Sequence, residues 1–387
     1  MQRDYEVIVL GLGGLGSGAA YWLARQGARV LGIEQFELGH VRGASHDHSR
    51  IIRLSYHTPF YVTLAKQAYA AWAAVEADAG EQLILRTGGL DLEPANAAIS
   101  LDDYGASLAA EAVPFEWLDA AEIMRRWPQF SLTPEVRGLY QAQSGIAPAA
   151  RGTATHQQLA RAHGAVLLDQ TPVRSLRDAG GEVEVHTDGG TYRCGRLIIT
   201  ADAWTNDILR HLDVQLPLTI TQEQVTYFAS PRYGDYAPDR FPVWIWMDEP
   251  CFYGFPVYGE PAVKVAQDVG GREVTAQTRT FDPDPAILER TEQFLRRYLP
   301  SALGPIHYSK TCLYTMTPDR DFVIDTVPGH PHIAVGLGAA HGFKFASVIG
   351  RLLAGLAGFG PVDADLAPFA MDRAILLEKN PARSFLI

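Results

Sequence analysis

Cysteine is scarce, with three residues in a chain of 387. So small and odd a number builds no disulfide framework and fits a reducing compartment. Long apolar runs are missing too. No stretch approaches the roughly 20 continuous apolar residues of a membrane-spanning helix. The opening MQRDYEVIVLGLGG has no basic region ahead of a long apolar segment and cleavage site, and the closing SFLI matches no addressing signal. A cytoplasmic chain without a membrane partner is expected. An excess of positive charge is also absent: the formal net charge is -11, which excludes electrostatic capture by nucleic acid or an anionic membrane. The expected partner is a small molecule. Internal repeats and low-complexity linkers are absent, and the length suits two domains held as one rigid body.

The order of elements starts with a βαβ unit. Residues 6–10 form a short, nearly all-apolar run ending at glycine, as in a strand buried on both faces. Residues 15–25 carry small and apolar side chains at helical spacing, and residues 29–34 return as a second buried strand. An alanine-rich helix is expected over 64–79, with Gly80 as its stop. RTGGLDLE then supplies a turn and a strand. From about 90 to 140 the texture changes to helical, acidic, Trp- and Pro-punctuated segments without a phosphate-binding glycine run. After a turn at 143–148, a helix over 152–163 leads into a strand at 165–168. The turn Thr187-Asp188-Gly189-Gly190 joins two short strands as a hairpin, ahead of a buried strand at 197–200. Aromatic-rich strands dominate 217–306, including FPVWIWM and CFYGFPV, and are followed by a charged helix over 286–298. Strands at 322–324 and 333–335 and a helix over 343–356 close the chain.

This pattern implies an α/β, two-domain protein in which both domains are discontinuous. A Rossmann-like nucleotide-binding domain with an antiparallel β-meander takes residues 1–85, 145–215 and 310–387. A substrate domain with a mixed or antiparallel sheet and helices takes 86–144 and 216–309.

Gly11-Leu12-Gly13-Gly14-Leu15-Gly16 is a G-x-G-x-x-G run placed where strand passes into helix. Gly11 permits the tight turn, Gly13 lets backbone approach a pyrophosphate, and Gly16 lets helix and strand pack closely, with the helix N-terminus facing the anion. Glu34 ends the second strand, about 20 residues on, where a carboxylate accepts from a ribose diol. The motif alone leaves NAD and FAD open, and an NAD(P)-dependent dehydrogenase is the alternative it carries.

Beyond that motif the chain resembles the monomeric sarcosine oxidase family, which includes N-methyltryptophan oxidase and pipecolate oxidase, within the wider glycine and D-amino-acid oxidase group. The resemblance spans nearly the whole chain. It is carried by GLGGLG, RGASHDHSRIIRLSY, RTGGLDL, AQSGIAP, LIITADAWTN, YGFPVYG with Lys264 beyond it, TCLYTMTPDRDFVID and HGFKFASVIG. It implies a two-domain flavoprotein with covalent FAD that oxidises a secondary amine, an N-methyl or cyclic amino acid, and reduces oxygen to hydrogen peroxide. A monomer without a metal is implied. A flavin-binding protein or dehydrogenase with poor oxygen reactivity is the other alternative.

Position by position, the resemblance makes Cys312 the flavin attachment site and leaves Cys194 and Cys251 as small buried apolar residues. Arg53 and Lys344 become the pair that holds a substrate carboxylate. Ser45, His46, Ser49 and Arg50 line the flavin, Val173 meets the adenine, and His341 and Lys344 open the final helix toward the pyrimidine end of the ring. Lys264 is set against the flavin face, where its charge would favour oxygen reduction, and Tyr253 and Tyr314 lie near the substrate. Three departures stand out. Asp268 replaces a histidine and would offer an anion to a cationic amine; Asp202 replaces a glycine; Ala339-Ala340 replaces Ser-Gly. Trp244 and Trp246, two apart on a strand, share one face, and on the substrate side they would narrow the site or stack on an aromatic substrate.

Overall fold

The computed structural model describes residues 3–384; residues 1–2 and 385–387, which include most of the SFLI tail, lie outside the described residues. Arg3–Leu10 pairs in parallel with Val30–Ile33 on one side and Gly190–Ile199 on the other. Val30–Ile33 pairs in parallel with Val166–Leu168, and Gly190–Ile199 with His330–Leu337. Residues 7–10 and 30–33 are buried on both faces, which is why they read as unbroken apolar runs rather than alternating ones. The helix Gly14–Arg25 crosses over between the first two strands. The meander is present: Val183–Thr187 and Gly190–Ile199 are antiparallel, closed by the Asp188-Gly189 turn, and Val173–Asp178 adds outside them.

A second, nine-stranded mixed sheet takes its strands from 89–141 and 219–316. The long pair at one side of it, Thr219–Phe228 with the edge strand Ile306–Met316, keeps antiparallel register from Thr219↔Met316 to Tyr227↔Tyr308 and shifts by one residue before Phe228↔Ile306. A division of the chain at 309/310 cuts through this strand. A small sheet of Arg50–Ile52, Gly145–Ala147 and Leu85–Arg86 lies apart from both large ones.

Three helices differ from their expected bounds by three residues or more, and that expected over 152–163 runs Ala149–Ala162. The helix expected over 64–79 runs Pro59–Ala79: Pro59 sits in its first turn and the Thr58 hydroxyl accepts from the Tyr61 N–H at 3.4 Å, a start signal that the alanine periodicity overshadows. The final helix is Ala346–Leu356, preceded by a separate 3₁₀ turn at Gly342–Phe345. No helix among the described residues is long and apolar enough to cross a membrane.

Candidate active site

Two cavities meet at the end of the first strand. The outer one is lined by Gly11, Gly13, Glu34 and Val173, the inner one by Arg50, Arg53, Tyr253, Asp268, Cys312, Tyr314, His341 and Lys344. Gly13, Ala44, Ser45, His46, Thr200 and Asp202 border both, so the two adjoin across a shared wall.

The outer end is built on backbone. Gly11 has φ +86, and a Cβ there would lie 2.6 Å from the Thr200 carbonyl oxygen. Gly16 lies so close under the loop that its Cβ would overlap the Gly11 carbonyl. Glu34 accepts from the Leu12 N–H at 2.9 Å and the Phe36 N–H at 3.1 Å, which fixes its carboxylate beside the glycine loop. Ser45 accepts from the Gly14 N–H at 2.8 Å and so joins the helix N-terminus to the next loop. Arg50 staples that loop by donating to the carbonyls of Ser49, Ala44 and His46 at 2.8, 2.8 and 3.0 Å. His46 is buried with neither ring nitrogen hydrogen-bonded to protein. Burial, then the charge of Arg50, pushes its pKa down to about 3.

The inner end gathers cations. Arg53 pairs with buried Asp91 at 3.2 Å. Lys344 donates to the His341 carbonyl at 3.1 Å; burial first, then Arg53 and Arg320, lowers its pKa far below the lysine range. His341 contacts the Arg320 carbonyl through Nε2 at 2.9 Å. Cys312 is buried in the wall, and burial, opposed by Arg50, raises its thiol to about 11. Tyr253 and Tyr314 both line the cavity, and Tyr253 also packs against the neighbouring core.

One expectation is corrected and two residues gain a structural context. Asp268 is engaged: Arg320 holds both its oxygens, at 2.8 and 3.1 Å, which keeps its carboxyl below the usual range despite burial. Its charge is balanced within the protein, while the residue still lines the inner cavity. Trp244 and Trp246 do share a face, but the outer one. Trp244 stacks on Phe294 with centroids 5.5 Å apart, and Trp246 packs on Tyr298 at 4.2 Å, both on the helix Pro285–Tyr298. Between them, Ile245 faces the cavity. Lys264 is buried one layer behind the wall, where it donates to the Ser49 carbonyl at 2.9 Å and its hydroxyl at 3.2 Å and pairs with Asp47 at 2.7 Å.

Sequence reasoning missed Arg320, Asp47, Lys310 and the cavity-facing position of Cys251. For Arg320 the signal was its place in TCLYTMTPDRDFVID, beside residues already singled out. The substituted glycine positions, Asp202 and Ala340, keep left-handed backbone with φ of +45 and +71, and Ala339, at the serine position, has φ +42. Burial raises the Asp202 carboxyl to about 6.

With this geometry in hand, comparison with known proteins identifies the class. Residues 6–356 match the family model described as FAD dependent oxidoreductase, and the chain belongs to that family. It is 37% identical to the monomeric sarcosine oxidase of Streptomyces avermitilis over 92% of this chain and 94% of that one. It is 31% identical to the N-methyl-L-tryptophan oxidase of Escherichia coli over 95% and 99% of the two chains. Among solved structures, NikD, an unusual amino acid oxidase essential for nikkomycin biosynthesis, superposes with a TM-score of 0.84 at 26% identity, covering 95% of this chain and 97% of that one.

The residues present fit an FAD. The glycine loop and helix N-terminus suit its pyrophosphate, Glu34 its ribose, and the unpartnered nitrogens of His46 mark a polar position between the two cavities.

Proposed function

We propose that this oxidoreductase takes a hydride from the carbon next to a secondary amine in an N-methyl or cyclic amino acid, with oxygen as electron acceptor and hydrogen peroxide as product. The observation that carries the reading is the inner cavity, which Arg53, Lys344 and Cys312 line together with Gly13 and Gly14 of the glycine loop. Bound FAD supplies the two-electron acceptor, and Cys312 is the thiol positioned for a thioether to it. The relatives named for sarcosine and for N-methyl-L-tryptophan bracket the substrate class from small to aromatic.

Arg53 offers a planar fork and Lys344 a point charge to the substrate carboxylate. The anion would also return the proton that burial takes from Lys344. The aromatic wall of Tyr253 and Tyr314 keeps water from the reacting carbon. The amine enters unprotonated, so no side-chain base is obligatory, and the imine hydrolyses after release. Ser45, His46, Ser49, Arg50, Val173 and His341 hold the cofactor in this reading. Lys264 supplies charge to its face through the wall, Asp268 positions Arg320 and Tyr314, and the chain acts as a cytoplasmic monomer. In this reading the eight-stranded sheet belongs to the cofactor domain and the nine-stranded sheet, with all of Ile306–Met316, to the substrate domain.

The test is a visible spectrum taken before and after acid precipitation, and again after anaerobic addition of sarcosine, N-methyl-L-tryptophan or pipecolate. A yellow protein whose colour stays with the pellet and bleaches with one of these amines is expected. A colourless protein that binds nicotinamide nucleotide would overturn the reading.

A further inference from the structure

Lys264 and Asp47 are each only 2% exposed in their side chains, and Nζ lies 2.7 Å from Oδ2. Tyr227 donates to both Asp47 oxygens at 2.9 and 3.0 Å, and Lys310 approaches from the cavity wall at 3.6 Å. Asp47 has φ +78, a conformation in which a side chain other than glycine carries a steric cost. A carboxylate kept at such a position in the face of that cost marks a side chain with a task.

We propose that Asp47 is a positioning residue that holds Lys264 protonated and sets the net charge that the wall presents to the flavin. The proposal deepens the functional reading above and rests on it. The groups around Lys264 leave this task to Asp47. Arg50, on the same loop, and Lys310, on the facing strand, are cations. His46 is held neutral, pushed to about 3 by burial; Cys312 is neutral both as the thioether and as the free thiol, which burial raises to about 11; and burial raises Tyr227 well above the tyrosine range. Phe255 lies 4.7 Å from Nζ and offers only its ring face. Burial lowers Lys264 to about 8 even with Asp47 in place. Removing the carboxylate would leave a buried ammonium beside Arg50, and its proton would be lost at still lower pH.

The pair is therefore neutral while Lys264 is protonated and carries one negative charge above that pH. Without Asp47 the same two states carry one positive charge and none. Sulfite reads this difference without substrate turnover, because it adds to bound flavin as an anion and bleaches it. Its affinity is to be measured from pH 5.5 to 9.5 in the flavin-loaded parent, Asp47→Asn, Asp47→Gly and Lys264→Met. The ionisation of sulfite itself is common to all four and cancels in the comparison. The glycine variant suits φ +78 without strain, so it keeps the test alive if Asp47→Asn folds poorly.

In the parent, affinity should fall as Lys264 loses its proton. In both Asp47 variants that fall should move down by about 1–3 pH units, and in Lys264→Met it should vanish. A midpoint unmoved by Asp47→Asn or Asp47→Gly in a yellow protein would overturn the inference alone. A protein without flavin would overturn the functional reading and this inference together.

Discussion

Cys312, Cys194 and Cys251 are all free and buried, so burial does not single out one thiol. Position does. Cys194 lies in the parallel sheet away from the cavities, whereas Cys312 and Cys251 both face the inner one. Flavin colour should stay with denatured parent protein, Cys194→Ala and Cys251→Ala, and leave Cys312→Ala on acid precipitation; colour retained by Cys312→Ala would move attachment to Cys251. Arg53 yields a second prediction at this scale. Replacing it with Met removes a charged contact to substrate carboxylate, and KM should rise about 10–100-fold. The same change strands Asp91 in the interior and should cost about 3–5 kcal/mol of stability. Steady-state kinetics and chemical denaturation read the two effects separately. An unchanged KM would place the substrate carboxylate elsewhere.

At the scale of elements, the strand Val243–Trp246 shows where sequence reasoning reached and where it stopped. Period-two alternation put Trp244 and Trp246 on one side, and they are. Which side was not written in the strand, because it depends on the helix Pro285–Tyr298, some forty residues on, whose Phe294 and Tyr298 fill that face. Trp246→Ala should therefore lower stability by about 3–5 kcal/mol, the usual loss for a large aromatic removed from a core, and leave KM little changed. A shifted substrate preference at unaltered stability would return the tryptophans to the site. The glycine loop and Glu34 were legible because their chemistry is local: turn, helix start and acid follow within one βαβ unit. The Asp47–Lys264 and Asp268–Arg320 pairs were not, since each joins residues far apart in the chain and no spacing rule connects them. Arg53, Cys312 and Lys344 were reachable through resemblance to a family; their convergence on one cavity is a property of the fold.

For the whole molecule, buried histidines set an acid limit. His156 is fully buried and stacks on Trp72 and Tyr21, with centroids 4.9 and 5.8 Å away, and burial lowers it to about 3. An unfolded chain binds that proton near pH 6.5, so the unfolded state gains protons first as pH falls. Stability should then decline from about pH 6.5 downward, by on the order of 3 kcal/mol for this one residue by pH 4. His156→Phe keeps the stack and removes the titration. Denaturant titrations at pH 7 and pH 4.5 should show a smaller difference for the variant; equal differences would assign the acid loss to other groups.

The meeting of Arg53 and Lys344 across one cavity also has a meaning in time. The glycine loop is made by the ribosome about 330 residues before the turn bearing Lys344 and the helix that packs on Gly14–Arg25, where Ser347 Oγ accepts from Trp22 Nε1 at 3.1 Å. At translation speeds of about 5–20 residues per second the nascent chain waits some tens of seconds between the two. The finished pocket therefore reports that synthesis has passed Lys344, and a product truncated before His341 cannot assemble the inner wall, however well its glycine loop has folded.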